Sequence, residues 1–236
     1  MSPDERDEKT IGAAKLTGAG RTGDAGGGPS GPGAGPALEA ARALLARRTR
    51  ELVEAVVLSD VAIVELGAVA AEIGSLAERL GAQRPGPIGP EAGPDWPRRR
   101  PRGPVTGEAN PLAPPIRITT TPEGTARAEF SLGPVYEGPP GAVHGGVCAA
   151  VLDSLLGAAA AAGQRPGMTA KLILSYLRPT PLSVPLVAEA WITGVDRRTT
   201  LVDGRILNER GELTVEATGE FSLPLHWQRR GRAADR

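Results

Sequence analysis

One cysteine, Cys148, stands in a chain of 236 residues. No disulfide can form within the chain, and a reducing compartment fits, so the expected location is the cytoplasm. Histidine is almost as scarce: His144 and His226 are the only two, which leaves no histidine cluster to hold a metal. His226, beside Trp227, reads as a structural or surface residue. Neither sign of charge is in excess, since 27 Lys and Arg face 27 Asp and Glu. That balance gives no bulk attraction for nucleic acid. No apolar run of about 18 residues is present to span a membrane. The richest stretch, Ala149 to Ala162, is short of that and carries Asp153. The charged start, Met1 to Glu8, is not followed by an apolar core, unlike a secretory leader. Gly-x-Ser-x-Gly does not occur, which excludes a serine on a nucleophile elbow.

Glycine and proline are abundant, 32 and 23 residues, but unevenly placed. Residues 1–36 hold almost no large apolar side chains and cannot offset the entropy of ordering, so they are expected to be disordered. Residues 37–84 read as a helical hairpin. Leu38, Leu45, Leu52 and Val56 recur near a 3.6 period, Ser59-Asp60 looks like a break with a new N-cap, and Leu66, Val69, Ile73, Leu76 and Leu80 continue to Gly81. This element reads as an oligomerising or structural appendage, or as a partner-binding element. Residues 85–107 form a Pro/Arg-rich linker, whose run Pro97 to Arg102 reads as a solvated charge cluster rather than a phosphate site.

From residue 108 to 227 the pattern is that of one domain, with residues 228–236 as a tail. Ile116 to Ile118 and Ala126 to Leu132 alternate about a turn at Pro122-Glu123-Gly124. One apolar helix follows, Gly145 to Ala162. Strand patterns return at Thr169–Leu177, Leu186–Val195, Thr200–Asn208 and Leu213–Ser222, the last two joined by a hairpin loop at Asn208 to Gly211. In the last strand Leu213, Val215, Ala217, Gly219 and Phe221 face one way and Thr214, Glu216, Thr218 and Glu220 the other. A helix apolar nearly all round must be covered on most faces. The fold class is therefore α+β, an antiparallel sheet wrapped around one helix.

Two polar positions stand out against that helix. His144-Gly145-Gly146 opens it, where the first backbone N–H groups lack partners and the dipole is positive. Such donors can hold a developing oxyanion. Asp153 lies in its middle, either as a partly exposed acid that caps or pairs with something, or as a base or nucleophile with a raised pKa in an apolar site. Nine residues separate His144 from Asp153, about 13 Å along a helix. One chain cannot readily bring both to one atom, whereas two antiparallel helices of an isologous dimer can. Cys148 reads as a small core residue.

The stretch Glu137 to Gly146 with Asp153, then Gly167-Met168-Thr169-Ala170-Lys171-Leu172 running into Tyr176 to Leu182, then Glu216-Ala217-Thr218-Gly219, resembles the PaaI/THEM-type branch of the hotdog thioesterases. The resemblance implies a hotdog fold and hydrolysis of acyl-CoA thioesters with no metal or organic cofactor. It implies Asp153 as base or nucleophile, Thr169 as the group orienting water and Gly145 N–H as the oxyanion donor. His144 would hold the loop and contact the thioester carbonyl. Some relatives carry Asn or Gln six residues before the His, where this chain has Gly138. Gly146 is a further substrate contact. Arg178, Arg197 and Arg198 are candidates for the CoA phosphates, or else solvated loop charges. The expected partners are acyl-CoA and further copies of the chain, as a dimer or dimer of dimers. The alternatives are a non-catalytic acyl-CoA binder and a hotdog enoyl-CoA hydratase.

Overall fold

The computed structural model describes residues 34–82 and 103–222. The expected disordered segment up to residue 33, most of the linker, the tail and His226 lie outside the described residues.

Helix α1 spans Ala34–Leu58, three residues earlier than the period suggests, and α2 spans Ile63–Gly81. A break separates them, but Ser59-Asp60 does not cap α2. Its N-cap is Ala62 with no side-chain bond, and Ser59 Oγ instead accepts from Val61 N–H at 3.4 Å. Both helices of the expected hairpin are present, but α2 packs on nothing among the described residues. No residue of α2 is buried, and its Leu66, Leu76 and Leu80 are about half exposed or more. By contrast α1 docks on the body of the protein. Ala46 is buried, and Arg50 donates to the carbonyls of Asn110 and Ala113 at 3.0 and 3.4 Å. Residues 103–107, expected to belong to the linker, are folded here: Gly107 N–H bonds to Gly103 O at 3.1 Å and Val105 packs on the core.

The sheet has six antiparallel strands: β1 (Ile118–Thr121), β2 (Thr125–Phe130), β3 (Met168–Tyr176), β4 (Leu186–Asp196), β5 (Thr199–Leu207) and β6 (Leu213–Ser222), in the order β1-β2-β4-β5-β6-β3. β1 begins two residues later than expected because Ile116 is buried beneath α1's docking region rather than paired. Gly124, at φ +83°, makes the β1–β2 turn. α3 spans Gly145–Ala162, as the sequence predicts. It is long and apolar enough to cross a membrane by length and composition, which the broken run of apolar letters conceals, yet it is the core helix and touches all six strands. Leu152, Leu155, Leu156 and Ala159 are completely buried against Leu186, Ala188, Val202 and Val215. Small residues on the sheet let the helix approach. A Cβ on Gly204 would lie 2.7 Å from Leu156 Cδ1 and 2.9 Å from the Glu189 carbonyl, so only glycine fits there.

One sequence assignment needs correcting in β6. Strict alternation puts Thr214 on the outer face, yet it is fully buried. The chain leaving β3 crosses over it: Leu177 and Arg178 N–H both bond to Thr214 O, and buried Thr180 donates to Thr214 Oγ1 at 2.9 Å. Thr214 in turn donates to Ile206 O at 3.2 Å, so this buried polar chain is satisfied.

Candidate active site

The residues leading into α3 form a braced loop. Glu137 Oε1 accepts from Gly141 N–H at 2.7 Å, Gly138 N–H bonds to Ala142 O, and Val143 N–H bonds to Thr180 O. His144 N–H is held by the carbonyl of Tyr136, at the end of a short 3-10 turn, Pro134–Tyr136. Gly138 is pressed against His144: a Cβ there would be 2.7 Å from His144 Cα. An Asn or Gln side chain at this position would displace the loop, which accounts for its absence.

His144 is the N-cap of α3. Its Nδ1 accepts from Gly146 N–H at 3.0 Å. This bond places the ring proton on the exposed Nε2 and makes it a donor toward solvent. The N–H of Gly146, an expected substrate contact, is thereby taken up by the cap. Gly145 N–H is different: among the described residues no acceptor takes it. The Gly145 carbonyl accepts from Tyr176 Oη at 2.9 Å, and the Tyr176 ring lies against the glycine, 3.3 Å from where a Cβ would be. In the sequence Tyr176 has a place in the family resemblance but no role, because a lone half-exposed tyrosine on an edge strand carries no spacing signal.

Asp153 sits two turns further along α3, half-buried. Thr169 Oγ1 donates to Asp153 Oδ1 at 2.7 Å. Thr169 can reach it only because β3 is irregular. Leu172 and Leu174 face the core, and strict alternation would turn residue 169 outward with Lys171 and Ile173. The register shifts between Thr169 and Lys171, so Ala170 is an extra residue and Thr169 pairs with buried Phe221 instead. The bulge moves Thr169 to the face of Leu172, Leu174 and Tyr176. Within one chain the two parts of the site remain apart, since eight residues of helix between Gly145 and Asp153 are about 12 Å.

The structure divides the three arginines. Arg178, exposed, donates to Leu213 O at 3.0 Å near the Tyr176 end of the sheet. Arg197 and Arg198 form the β4–β5 turn at the other end, level with Thr169 through the pairs Thr169–Phe221 and Thr200–Phe221. The sheet is about nine residues, or roughly 30 Å, long, so the three cannot grip one phosphate group from a single chain. Arg197 and Arg198 line a cleft of about 200 Å³ with Gln164, Arg165 and Thr200. Gln164 and Arg197 both have positive φ, 61° and 22°, a conformation that costs non-glycine residues energy. Arg165 and Gln164 were not singled out from the sequence. A larger groove of about 570 Å³ lies between α1 and residues 106–117, and none of Gly145, Asp153 or Thr169 lines it. Cys148 is buried, and burial pushes its thiol above the ordinary value, partly offset by a hydrogen bond with Thr180.

A thioesterase superfamily sequence profile matches residues 140–215, the stretch from the His144 loop to the start of β6. A crystal structure of a thioesterase superfamily protein is 36% identical, covers 77% of this chain and 90% of its own, and superposes with a TM-score of 0.70. The chain belongs to the thioesterase superfamily. Its sheet around one helix is the hotdog fold. The shared 77% exceeds what residues 83–236 supply, so the likeness extends into the helical region. The acyl-coenzyme A thioesterase THEM4 of Xenopus laevis is 34% identical over 93 residues, 39% of this chain. That match spans 42% of the relative's length.

Proposed function

We propose that this thioesterase-superfamily chain hydrolyses acyl-CoA thioesters at a site shared by two subunits. The observation that carries the reading is the Thr169–Asp153 hydrogen bond on a half-buried stretch of the core helix. Thr169 occupies Oδ1 with its hydroxyl proton and keeps its own lone pairs for a water. Asp153 Oδ2 remains to accept that water's proton as the oxygen attacks the thioester carbonyl. Negative charge then collects on the carbonyl oxygen, for which an unclaimed Gly145 N–H at a helix N-terminus is a fitting donor. Collapse of the tetrahedral adduct expels the CoA thiolate, which needs no protonation to leave, and yields the free acid.

The donor comes from the second subunit. Among the described residues β3 is an edge strand of the sheet, paired on one side only, with Ile173 and Tyr176 about half exposed. Antiparallel pairing of two such edges about Leu172 sets the Thr169 end of one strand opposite the Tyr176 end of the other. It thereby sets Asp153 of one subunit facing Gly145 of the partner subunit, which removes the 12 Å separation (an estimate from helical rise). The Arg165, Arg197 and Arg198 cleft, on the Thr169 side, is suited to phosphates of CoA.

The test is release of free CoA thiol from a panel of acyl-CoAs by wild type and Asp153→Ala. Loss of about a thousandfold in kcat with folding retained supports the assigned base. A folded wild type that binds acyl-CoA but turns over none of the panel sinks the hydrolase and leaves a binding protein.

A further inference from the structure

Among the described residues, α2 is an apolar seam without a partner. Leu66, Val69, Ile73, Leu76 and Leu80 follow one another at spacings of three, four, three and four. That is the heptad repeat of a coiled coil, not the broader 3.6-period face of a helix lying on a sheet. All of this seam lies at or near the surface: Leu66 is 49% exposed, Leu76 48% and Leu80 60%. Gly67 and Gly74, inside the helix, have nothing within 4 Å of a Cβ position. Neither glycine helps the isolated helix, and each leaves room for a close neighbour.

We propose that α2 pairs antiparallel with α2 of a second copy of this chain. Taking Leu66, Ile73 and Leu80 as positions a, and Val69 and Leu76 as positions d, puts Glu65, Glu72 and Arg79 at g. In an antiparallel pair a meets d, and g meets g. One register sets Leu66 against Leu76 of the partner subunit and Val69 against Ile73 of the partner subunit, each twice. The same register sets Glu65 against Arg79 of the partner subunit at both ends, so charge complements apolar fit. Its one adverse pair is Glu72 with its own copy at the two-fold. A register shifted by one layer replaces that pair with Glu72–Arg79 contacts and covers Leu80 in place of Leu66, but it leaves uncovered Ile63, which the first register sets beside Ala77 of the partner subunit. Burial of large apolar side chains outweighs exposed ion pairs, so the first register is preferred. A parallel pair would set Glu65 and Glu72 against Ala70 and Ala77 of the partner subunit and gain nothing from charge. The acyl-CoA site plays no part in this pairing, which is an interface distinct from the β3 edge.

The chosen register places Ala70 beside its own copy on the flank away from Glu72. In the full-length protein, Ala70→Cys is expected to give an oxidised covalent dimer under mild oxidant. Val64→Cys, on the opposite face and 81% exposed, is expected to give none. Buried Cys148 does not interfere. By light scattering, Leu76→Asp should halve the assembled mass while thiol release from acyl-CoA is unchanged. Glu65→Arg should weaken assembly by about tenfold, and adding Arg79→Glu should restore it. The pairing is overturned by a Leu76→Asp protein of wild-type mass, by cross-linking at position 64 instead of 70, or by a double charge swap weaker than the single one. Each of these readouts is independent of whether the chain hydrolyses anything.

Discussion

Helices α2 and α3 are nearly the same length, 19 and 18 residues, and both are rich in Ala, Gly, Leu and Val. One has no buried residue and the other is the centre of the core. Their difference is in pattern rather than composition. α3 is apolar on nearly every face and suits a curved sheet that covers it on most sides. Beyond its first two residues, Ile63 and Val64, α2 confines its large apolar side chains to one seam, which suits another helix and leaves a sheet little to grip. Chemistry follows burial: the acid on α3 is half-buried with a fixed hydroxyl partner, while the acids on α2 are exposed.

Activity offers the widest separation between the two helices, since the Asp153→Ala loss above has no counterpart among changes to α2. Next is Thr169→Val, which keeps the bulk and removes the proton donated to Asp153. Thiol release should fall by about ten- to a hundredfold, chiefly in kcat, and an unchanged kcat would remove Thr169 from the site. Truncation then separates the helices by stability. Leu155→Ala, at a fully buried position, should cost about 2–5 kcal/mol in urea unfolding, and Leu80→Ala on α2 within about 0.5 kcal/mol for the dissociated chain. Equal costs would mean that α2 is packed in its own chain after all. A smaller effect is expected of Tyr176→Phe, which frees the Gly145 carbonyl: a several-fold loss of kcat with little change in stability (about 1 kcal/mol or less). The smallest signal concerns Cys148. Its raised pKa means that stability is intact at neutral pH and declines as pH climbs past the ordinary thiol range. Alkylation should therefore be slow in the folded protein and fast in denaturant.

Much of the site was legible because its parts are adjacent in sequence or lie on one regular helix. His144-Gly145 and Asp153 needed only the helix that their surroundings predict, and the boundaries Gly145 and Ala162 agree with the structure. At Gly146, spacing reveals that an N–H lies at a helix start, not whether it is already taken. The imidazole of His144 takes this one. Arg178 and the Arg197–Arg198 pair looked alike as letters, and strand pairing sends them to opposite ends of the sheet. Tyr176 reaches Gly145 across 31 residues of chain, which no local pattern reports.

By itself the sequence determined the elements and the heptad seam of α2, because periodicity of apolar side chains is a property of consecutive residues. It also determined that the two halves of the candidate site, Gly145 and Asp153, lie too far apart on one helix to meet in one chain. Only the tertiary structure decided that Thr169 faces Asp153. Side-chain direction in a strand is counted along the chain, and the extra residue Ala170 changes that count, a change defined by the pairing of β3 with β6 rather than by any letter of β3 alone.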